Sequence, residues 1–416
     1  MKVRQIDRIV LDVPFMDEPQ RNMARNHAGW HISELVRVET DDGLVGWGET
    51  LPNYTYHRVS QEAIERVRGR NPFEVMWDDL LGCGLQIALF DVAAKRVGVP
   101  LYRLLGEQLR DWCPIGWWSI DMPPEDFQAE AKNAVANGYT AYKLKARPWF
   151  DIVAQVRAVC EVVPETFHLD VDFNGLLVDA AAAVPVLKEL EKFPNVMFFE
   201  SPIPQQDVEG NKRVRAQTRC GIAMHYGSPP IMTALREDVC DGFVIGGGAS
   251  RVMREGAVAA EANKPFWLQL VGTGITTAWA MHFGAVLSHA RWPAISCLNM
   301  YTPSLLRQPL SVQGGYIRVP EAPGLGVEID EGVFERLRVP TTEKENLRAF
   351  YAVVRPNGER TYYWSEEQYR EDFLAGNQPV FERGVTLESY ADDGSPGWRE
   401  TYQRVKQAPV RVRGKL

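Results

Sequence analysis

The sequence predicts an α/β protein whose main domain is a parallel barrel with helices on the outside. From about residue 115, strand-like apolar segments alternate with helix-like segments. About seven such units fit into about 190 residues, and this density favours a closed barrel over an open sheet. Either architecture gathers working residues at the carboxyl ends of the strands, so a site is expected there.

The first part of the chain has a different pattern. The segments RQIDRIVLDVPF and SELVRVETDDGLVGWGET alternate apolar and polar residues, which predicts antiparallel strands. Asp42 and Gly43 fit a tight turn within the second segment. The segment CGLQIALFDVAAKRVG repeats apolar residues at helical spacing. Residues 1–112 are therefore predicted to form an α+β domain.

Net charge and apolar content argue against nucleic acid and membrane as partners. The 416 residues carry a formal net charge of −8, whereas nucleic-acid binding generally needs a concentrated basic face. No segment approaches the roughly 18 apolar residues of a membrane helix, and the N-terminal residues are charged throughout, unlike a signal peptide. The six cysteines form no C-x-x-C pair, which fits reduced thiols. We expect a cytoplasmic protein that binds neither nucleic acid nor membrane.

Four successive strands end in residues that can carry chemistry. In chain order these residues are Lys143 and Lys145, then Asp172, then Glu200, then His225 and Tyr226. One strand–helix unit separates each group from the next, so we expect all four groups around one rim of the barrel. Two simpler interpretations stay open: the lysines could face solvent on a sheet edge, and the carboxylates could cap the helices that follow them.

Several segments together resemble the enolase superfamily, in particular its mandelate racemase and muconate-lactonising branch. They are VRVETDDGLVGWGET, IALFDVAAKRVGVPLYRLLG, YKLKARP, DVDFNG, FFESPIP and PEAPGLGVEIDEG. The resemblance implies a modified (β/α)₇β barrel of the TIM type over residues 113–310, an α+β capping domain, and a return to the cap over 311–336. Residues 337–416 lie beyond it, are too aromatic for a disordered tail, and are predicted to form a folded C-terminal extension with a hairpin.

The resemblance also implies Mg²⁺ at the strand ends and removal of the proton next to a substrate carboxylate. That proton is weakly acidic, so the reaction needs a base and positive charge that stabilises the enediolate. By this resemblance Lys145 is the base, Lys143 holds the substrate carboxylate, and Asp172 and Glu200 bind the metal. The substrate is then a small-molecule carboxylate.

The fourth strand end departs from the family pattern. The third metal carboxylate of the family falls at Tyr226, with His225 beside it, and neither residue is an acid. His225 could bind a metal through its imidazole, which would favour Mn²⁺ or another divalent ion. Alternatively, Tyr226 could act as an acid or orient the substrate, or the metal could be lost. Because side chains alternate along a strand, only one of the two residues is expected to face the site.

Later strands lack a second base. Gln269 stands where many relatives carry a histidine, and Asn299 stands where they commonly carry an acid. Without bases on opposite faces a racemase or epimerase is less favoured than a lyase or isomerase, above all one that dehydrates a hydroxy (sugar) acid. Tyr226 or Lys143 would protonate the leaving hydroxyl. A non-catalytic or metal-less protein that binds an acid ligand is the main alternative.

Polar and aromatic residues near the barrel mouth are candidates for substrate binding. Asn174 follows the second charged strand, and Gln269 and Asn299 follow later ones. The loop FMDEPQRNMARNHAGWH carries Arg25 and Trp30, and the loop ETLPNYTYHRV carries further aromatic residues. A guanidinium and aromatic rings suit a sugar acid, although a solvated loop explains them equally well. We also expect a homo-oligomer.

Overall fold

The computed structural model describes residues 1–54 and 58–416. It begins with an antiparallel sheet in the order β1 (Val3–Asp12), β2 (Ile32–Thr40) and β3 (Val45–Thr50). The helices of this region are α1 (Asp17–Met23), α2 (Gln61–Val67), α3 (Pro72–Val75), α4 (Cys83–Val97) and α5 (Tyr102–Leu105). A Cβ on Gly48 would lie 2.0 Å from the carbonyl oxygen of Gly84, so α4 can lie directly on β3 only because this residue has no side chain.

The central element is a curled sheet of parallel strands in chain order. After the short β4 (Trp112–Pro114), the strands are β5 (Trp117–Ser119), β6 (Ala141–Lys145), β7 (His168–Asp172), β8 (Val196–Glu200), β9 (Gly221–His225), β10 (Gly242–Ile245) and β11 (Phe266–Leu268). The helices beside them are α6 (Pro124–Ala136), α7 (Ile152–Cys160), α8 (Ala180–Leu190), α9 (Val208–Gln217), α10 (Ile231–Glu237), α11 (Ala249–Glu261) and α12 (Gly274–Val286).

The two edges of this sheet meet through one short segment. The amide of Ala294 donates to Pro114 at 2.9 Å, and the amide of Gly116 donates back to the carbonyl of Ala294 at 2.9 Å. The next amide, Ile295, donates to Leu268 on the other edge at 2.8 Å. The carboxyl ends of all seven strands are thereby drawn toward a common mouth.

The chain then returns to its first domain. The strand β12 (Val312–Gln313) pairs with β13 (Tyr316–Arg318), which pairs with β4, and α13 (Glu331–Leu337) packs near β1. The predicted boundary after residue 112 falls inside β4, and the one after residue 336 falls in the last turn of α13. The domain limits themselves stay predictions.

The C-terminal extension has its own antiparallel sheet and a small core. Its strands are β14 (Ala349–Val354), β15 (Glu359–Tyr363), β16 (Thr386–Ala391) and β17 (Val410–Arg413), in the order β16-β14-β15-β17, with helices α14 (Glu366–Leu374) and α15 (Pro396–Gln407). Gly358 adopts φ +81° at the turn between β14 and β15, where a hairpin is predicted. Across the described ranges, the helices are all too short or too polar to cross a membrane.

Candidate active site

The lysines of β6 and the acids of the next strands face one another. In the strand pairing, Lys145 lies opposite Asp172, and Asp172 lies opposite Glu200. Side chains two residues apart share a face of a strand, so Lys143 projects to the same side as Lys145. The side chain of Lys143 is 1% exposed and that of Lys145 is 15% exposed. Of the two amines, Lys145 is therefore the more accessible to a ligand.

These four residues form one buried ion-pair cluster. The Nζ of Lys143 hydrogen-bonds to Oε2 of Glu200 and lies 3.4 Å from Oδ2 of Asp172. The Nζ of Lys145 hydrogen-bonds to the same Oδ2 and donates to Oδ1 of Asn174 at 3.1 Å. The backbone amide of Asn174 donates to the other oxygen of Asp172 at 2.9 Å. The structure thus brings five of the predicted site residues together.

The charges of this cluster stabilise one another. Burial alone would lower the pKa of Lys143, but the carboxylates of Glu200, Asp172 and Asp170 outweigh burial and raise it. Burial would raise the pKa of Asp172, but the two lysine amines outweigh burial and lower it. Asp170 differs, because burial raises its pKa well above the ordinary value and neither carboxylate oxygen has a hydrogen-bond partner. Within the cluster, the two lysine amines are thus paired with the carboxylates of Asp172 and Glu200.

His225, rather than Tyr226, reaches this cluster. Glu200 pairs with Ala223, so His225, two residues later, shares its face while Tyr226 points away. The Nε2 of His225 lies 3.2 Å from Oε1 of Glu200, close enough for an ion pair but outside hydrogen-bond geometry. The ring of Tyr226 instead packs on Phe243, with 5.4 Å between centroids. The structure therefore separates Tyr226 from the amines and acids with which its predicted catalytic role would have to operate.

Gln269, which follows β11, also contacts the cluster. Its Oε1 accepts a hydrogen bond from the Nζ of Lys143 at 3.2 Å, and its side chain also hydrogen-bonds to Tyr54. Burial raises the pKa of Tyr54 to about 12, so this phenol stays protonated at neutral pH. The predicted aromatic loop thus contributes Tyr54, whereas Tyr56 and His57 of the same loop lie outside the described residues.

Two other predicted substrate contacts have internal partners. The guanidinium of Arg25, 9% exposed, lies 3.0 Å from a carboxylate oxygen of Asp121, which is 1% exposed. A buried carboxylate needs such a cation, so Arg25 stabilises the protein interior instead of offering a free charge to substrate. The side chain of Asn299 accepts from the amide of Trp118 at 3.2 Å and donates to its carbonyl at 2.9 Å. The side-chain oxygen and nitrogen of Asn299 therefore both have hydrogen-bond partners within the protein.

Trp30 lies in an aromatic group over the mouth. Its ring stacks on Trp118 at 5.8 Å and meets Tyr54 edge-on at 4.2 Å. The neighbouring His27 lies near the charged groups of the site: burial lowers its pKa to about 4, Asp121 opposes this, and Arg147 adds to it. The imidazole of His27 is therefore neutral at physiological pH.

A cavity of about 260 Å³ opens beside Asn174. One wall consists of Arg147, Trp149 and Asn174, which follow β6 and β7, and α14 of the extension forms the other. The sequence interpretation missed Arg147, although it follows Lys145 at the same two-residue spacing that relates Lys145 to Lys143. The contribution of α14 has no comparable signal, because the extension lies outside the resembling segments.

Comparison with known proteins places the chain in a family. A family model described as "Enolase C-terminal domain-like" matches residues 126–333, half of the chain. The chain belongs to the enolase superfamily. D-gluconate dehydratase of Thermoproteus tenax is 27% identical over 75% of this chain and 71% of its own length. Arabinonate dehydratase of Saccharolobus solfataricus is 26% identical over 74% of this chain and 91% of its own length.

Solved structures agree on the fold. Muconate lactonizing enzyme from Pseudomonas putida superimposes with a TM-score of 0.67 at 21% identity, over 82% of this chain and 100% of that chain. A mandelate racemase/muconate lactonizing family protein from Azoarcus sp. EbN1 gives the same TM-score at 23% identity, over 82% and 98%. These two likenesses show the fold, and the family match with the curated relatives places the chain in the mandelate racemase and muconate cycloisomerase branch, as its motifs indicate.

Members of the enolase superfamily typically use a divalent metal, but the residues of this chain do not fit the expected Mg²⁺ site. Within 1–54 and 58–416, no three His, Cys, Asp or Glu side chains are grouped to hold an ion. Asp172 and Glu200 are already paired with two amines, and the third strand end supplies an imidazole, which Mg²⁺ binds poorly. Each step of the reaction proposed for this chain therefore relies on protein groups.

Proposed function

We propose that this protein is a lyase or isomerase that removes the proton next to the carboxylate of a hydroxy acid, most simply to eliminate water. One observation carries the proposal: two lysine amines meet two carboxylates at the carboxyl ends of adjacent parallel strands. The relatives support the class of reaction, since they include sugar-acid dehydratases and a cycloisomerase. The substrate we propose is a small-molecule carboxylate.

The unequal exposure of the two amines suggests their roles. Lys145, the more accessible, would take the α-proton in its deprotonated form, once its ion pair with Asp172 is broken. Lys143, buried and cationic, would donate hydrogen bonds to the substrate carboxylate and stabilise the enediolate as negative charge develops. Elimination is then completed when the bond to the β-hydroxyl breaks and that oxygen receives a proton and leaves as water.

His225 is the proposed proton donor to the leaving hydroxyl. Its side chain is 43% exposed, so it borders the open mouth while its Nε2 stays near Glu200. A protonated His225 would give up its proton as the carbon–oxygen bond breaks. This role replaces the one predicted for Tyr226, which packs away from the cluster.

Elimination is favoured over racemisation because no second base is found opposite Lys145 among the described residues. Racemisation needs a second group opposite Lys145 to return the proton, and that region carries Gln269, whose side chain contacts Lys143 and Tyr54. The proposed framework is a modified (β/α)₇β barrel with the first domain as its cap, which the bridging segment at 294–295 supports. A homo-oligomer and a cytoplasmic location stay predictions from the sequence.

The proposal is tested by α-proton exchange. A panel of aldonic acids is incubated with the protein in D₂O, with and without Mg²⁺ or Mn²⁺, and deuterium at C2 is followed by NMR together with any keto product. Exchange or product formation with at least one acid is expected. The second candidate function is a non-catalytic protein that binds an acid. Binding of an acid without exchange under any of these conditions would favour it. The ion pairs between the lysines and the acids also support it.

A further inference from the structure

One face of an extension helix forms a wall of the cavity beside the proposed base. Glu366, Tyr369, Arg370 and Phe373 of α14 line this cavity. They occur at the spacing i, i+3, i+4, i+7, which is that of a single helical face. A volume of about 260 Å³ corresponds to about eight or nine waters, so the cavity has room for several polar atoms of a ligand.

The side chain of Asn174 connects Lys145 to the cavity. The Oδ1 of Asn174 accepts hydrogen bonds from the Nζ of Lys145 at 3.1 Å and from Nη2 of Arg147 at 3.0 Å. Asn174 and Arg147 are also part of the cavity wall. An acid whose reacting end lies at the two lysines would therefore extend its far end past Asn174 into this space.

The cavity carries two guanidinium groups, one from each wall. Arg370 forms no hydrogen bond or ion pair with any residue of the described chain. Arg147 donates to the carbonyl of Ala146 at 2.9 Å, and its ion pairs with Oε1 of Glu366 (3.8 Å) and Oδ1 of Asp121 (4.0 Å) are longer than a direct hydrogen bond. The other oxygen of Glu366 is held by Asn26. Arginine is suited to planar, bidentate binding of a carboxylate, so the pair favours an anionic group.

The extension is fixed where it forms this wall. Asp151, which caps α7, accepts from Nε of Arg383 at 2.9 and 3.0 Å and from the amide of Gly384 at 2.8 Å. The rings of Trp149 and Tyr369 meet edge-on at 4.8 Å. The ring contact ties α14 to the loop after β6, and the bonds of Asp151 fix the segment between α14 and β16, so the helix that carries Arg370 is held in place.

We propose that the extension completes the substrate pocket, with Arg370 and Arg147 binding a second carboxylate at the far end of the acid, so that the preferred substrates are dicarboxylic sugar acids. This proposal rests on the proposed function, because it assumes that the reacting carboxylate lies at Lys143 and Lys145. It assigns Arg370 a role in substrate binding and specificity.

The test compares matched acids on three proteins. Each pair consists of a hexonate and the hexarate of the same configuration, such as gluconate and glucarate or galactonate and galactarate, which differ only at the far carbon. Binding is measured by calorimetry on the wild-type full chain, on Arg370→Gln, and on Arg404→Gln, which removes an exposed arginine from the other extension helix. Melting curves verify that all three proteins are folded.

We expect wild type to bind at least one hexarate roughly ten-fold or more tightly than its hexonate. Arg370→Gln should remove that preference and leave the hexonate within about two-fold, while Arg404→Gln behaves as wild type. Equal binding of both acids by wild type, or an unchanged preference in Arg370→Gln, would overturn the subsite even if α-proton exchange is active. If no acid exchanges and the preference still depends on Arg370, the subsite stands and the proposed reaction is wrong.

Discussion

The two halves of the parallel sheet end differently. The strands β6, β7 and β8 end in Lys145, Asp172 and Glu200, whose charges are buried and paired. The strands β9, β10 and β11 end in His225, Ile245 and Leu268, and the next residues are Tyr226, Gly246 and Gln269, respectively. One half therefore holds the strong acids and bases, and the other holds neutral or exposed groups. A substrate placed between them meets a strong base from one side only, which is the physical reason to expect elimination.

The largest expected effect comes from removing the accessible amine of the charged half. Lys145→Met should lower the rate of deuterium exchange at the α-carbon by about 10²–10⁴-fold, the usual contribution of a general base. NMR of a responsive acid in D₂O measures the rate. The matched control is Lys132→Met, which removes an exposed lysine from α6. If Lys145→Met retained wild-type exchange, the assignment of the base to the charged half would be wrong.

Substitutions in the charged half should also lower the free energy of unfolding more than substitutions in the other half. Glu200→Gln removes one charge from a buried ion pair and leaves Lys143 undercompensated, so we expect a loss of about 3–5 kcal/mol in the free energy of unfolding. Gln269→Leu on the other half removes only a hydrogen-bonding amide and should cost about 1 kcal/mol. Denaturant titration measures both changes. Equal losses would remove the energetic distinction between the two halves.

Acid sensitivity is expected from His27, which lies outside both halves of the sheet, between α1 and β2 of the first domain. Burial lowers the pKa of His27 to about 4, so between pH 6.5 and 4 the unfolded chain gains a proton that the folded chain does not. Folding stability is thus lost as the pH falls through this window, by up to about 3 kcal/mol from this residue. His27→Asn should remove that part of the loss. Unfolding curves for the two proteins that stay parallel from pH 7 to 4 would contradict this prediction.

A carboxylate can be added to the weaker half. His225→Asp places a third acid next to Glu200, so Mg²⁺ should raise the Tm of this variant, with about 2.7 kcal/mol of stabilisation at one hundred times Kd. Tyr226→Asp is the matched control, because residue 226 points away from the cluster and should give no response. A Mg²⁺-dependent rise in wild type as large as that in His225→Asp would show that the native residues suffice to bind the ion.

The smallest effect is expected at Tyr226. Tyr226→Phe removes a hydroxyl that lies on the far face of β9, so exchange should change by no more than about two-fold. The same deuterium assay measures it. A drop of ten-fold or more would restore the catalytic role predicted for this phenol and would contradict the assignment of the proton donor to His225.

The sequence predicts the charged half well and the rest less well, for physical reasons. Regular alternation within strands and one strand–helix unit per step are enough to bring Lys145, Asp172 and Glu200 to one rim. The choice between His225 and Tyr226 depends on pairing between strands, which no single segment specifies. The position of the extension depends on contacts between distant residues, such as that of Trp149 with Tyr369, and no local pattern predicts them.

The hydrogen bonds of Asn299 bear on how this protein could change over evolutionary time. Its amide holds both polar groups of Trp118 on β5, and this contact ties the short turn at Leu298–Met300 to the sheet. An aspartate could still accept, but its second oxygen would face the Trp118 carbonyl and repel it. Placing an acid at this position would loosen the anchor before any second base existed to benefit. A change to two-sided chemistry would therefore require several coordinated substitutions.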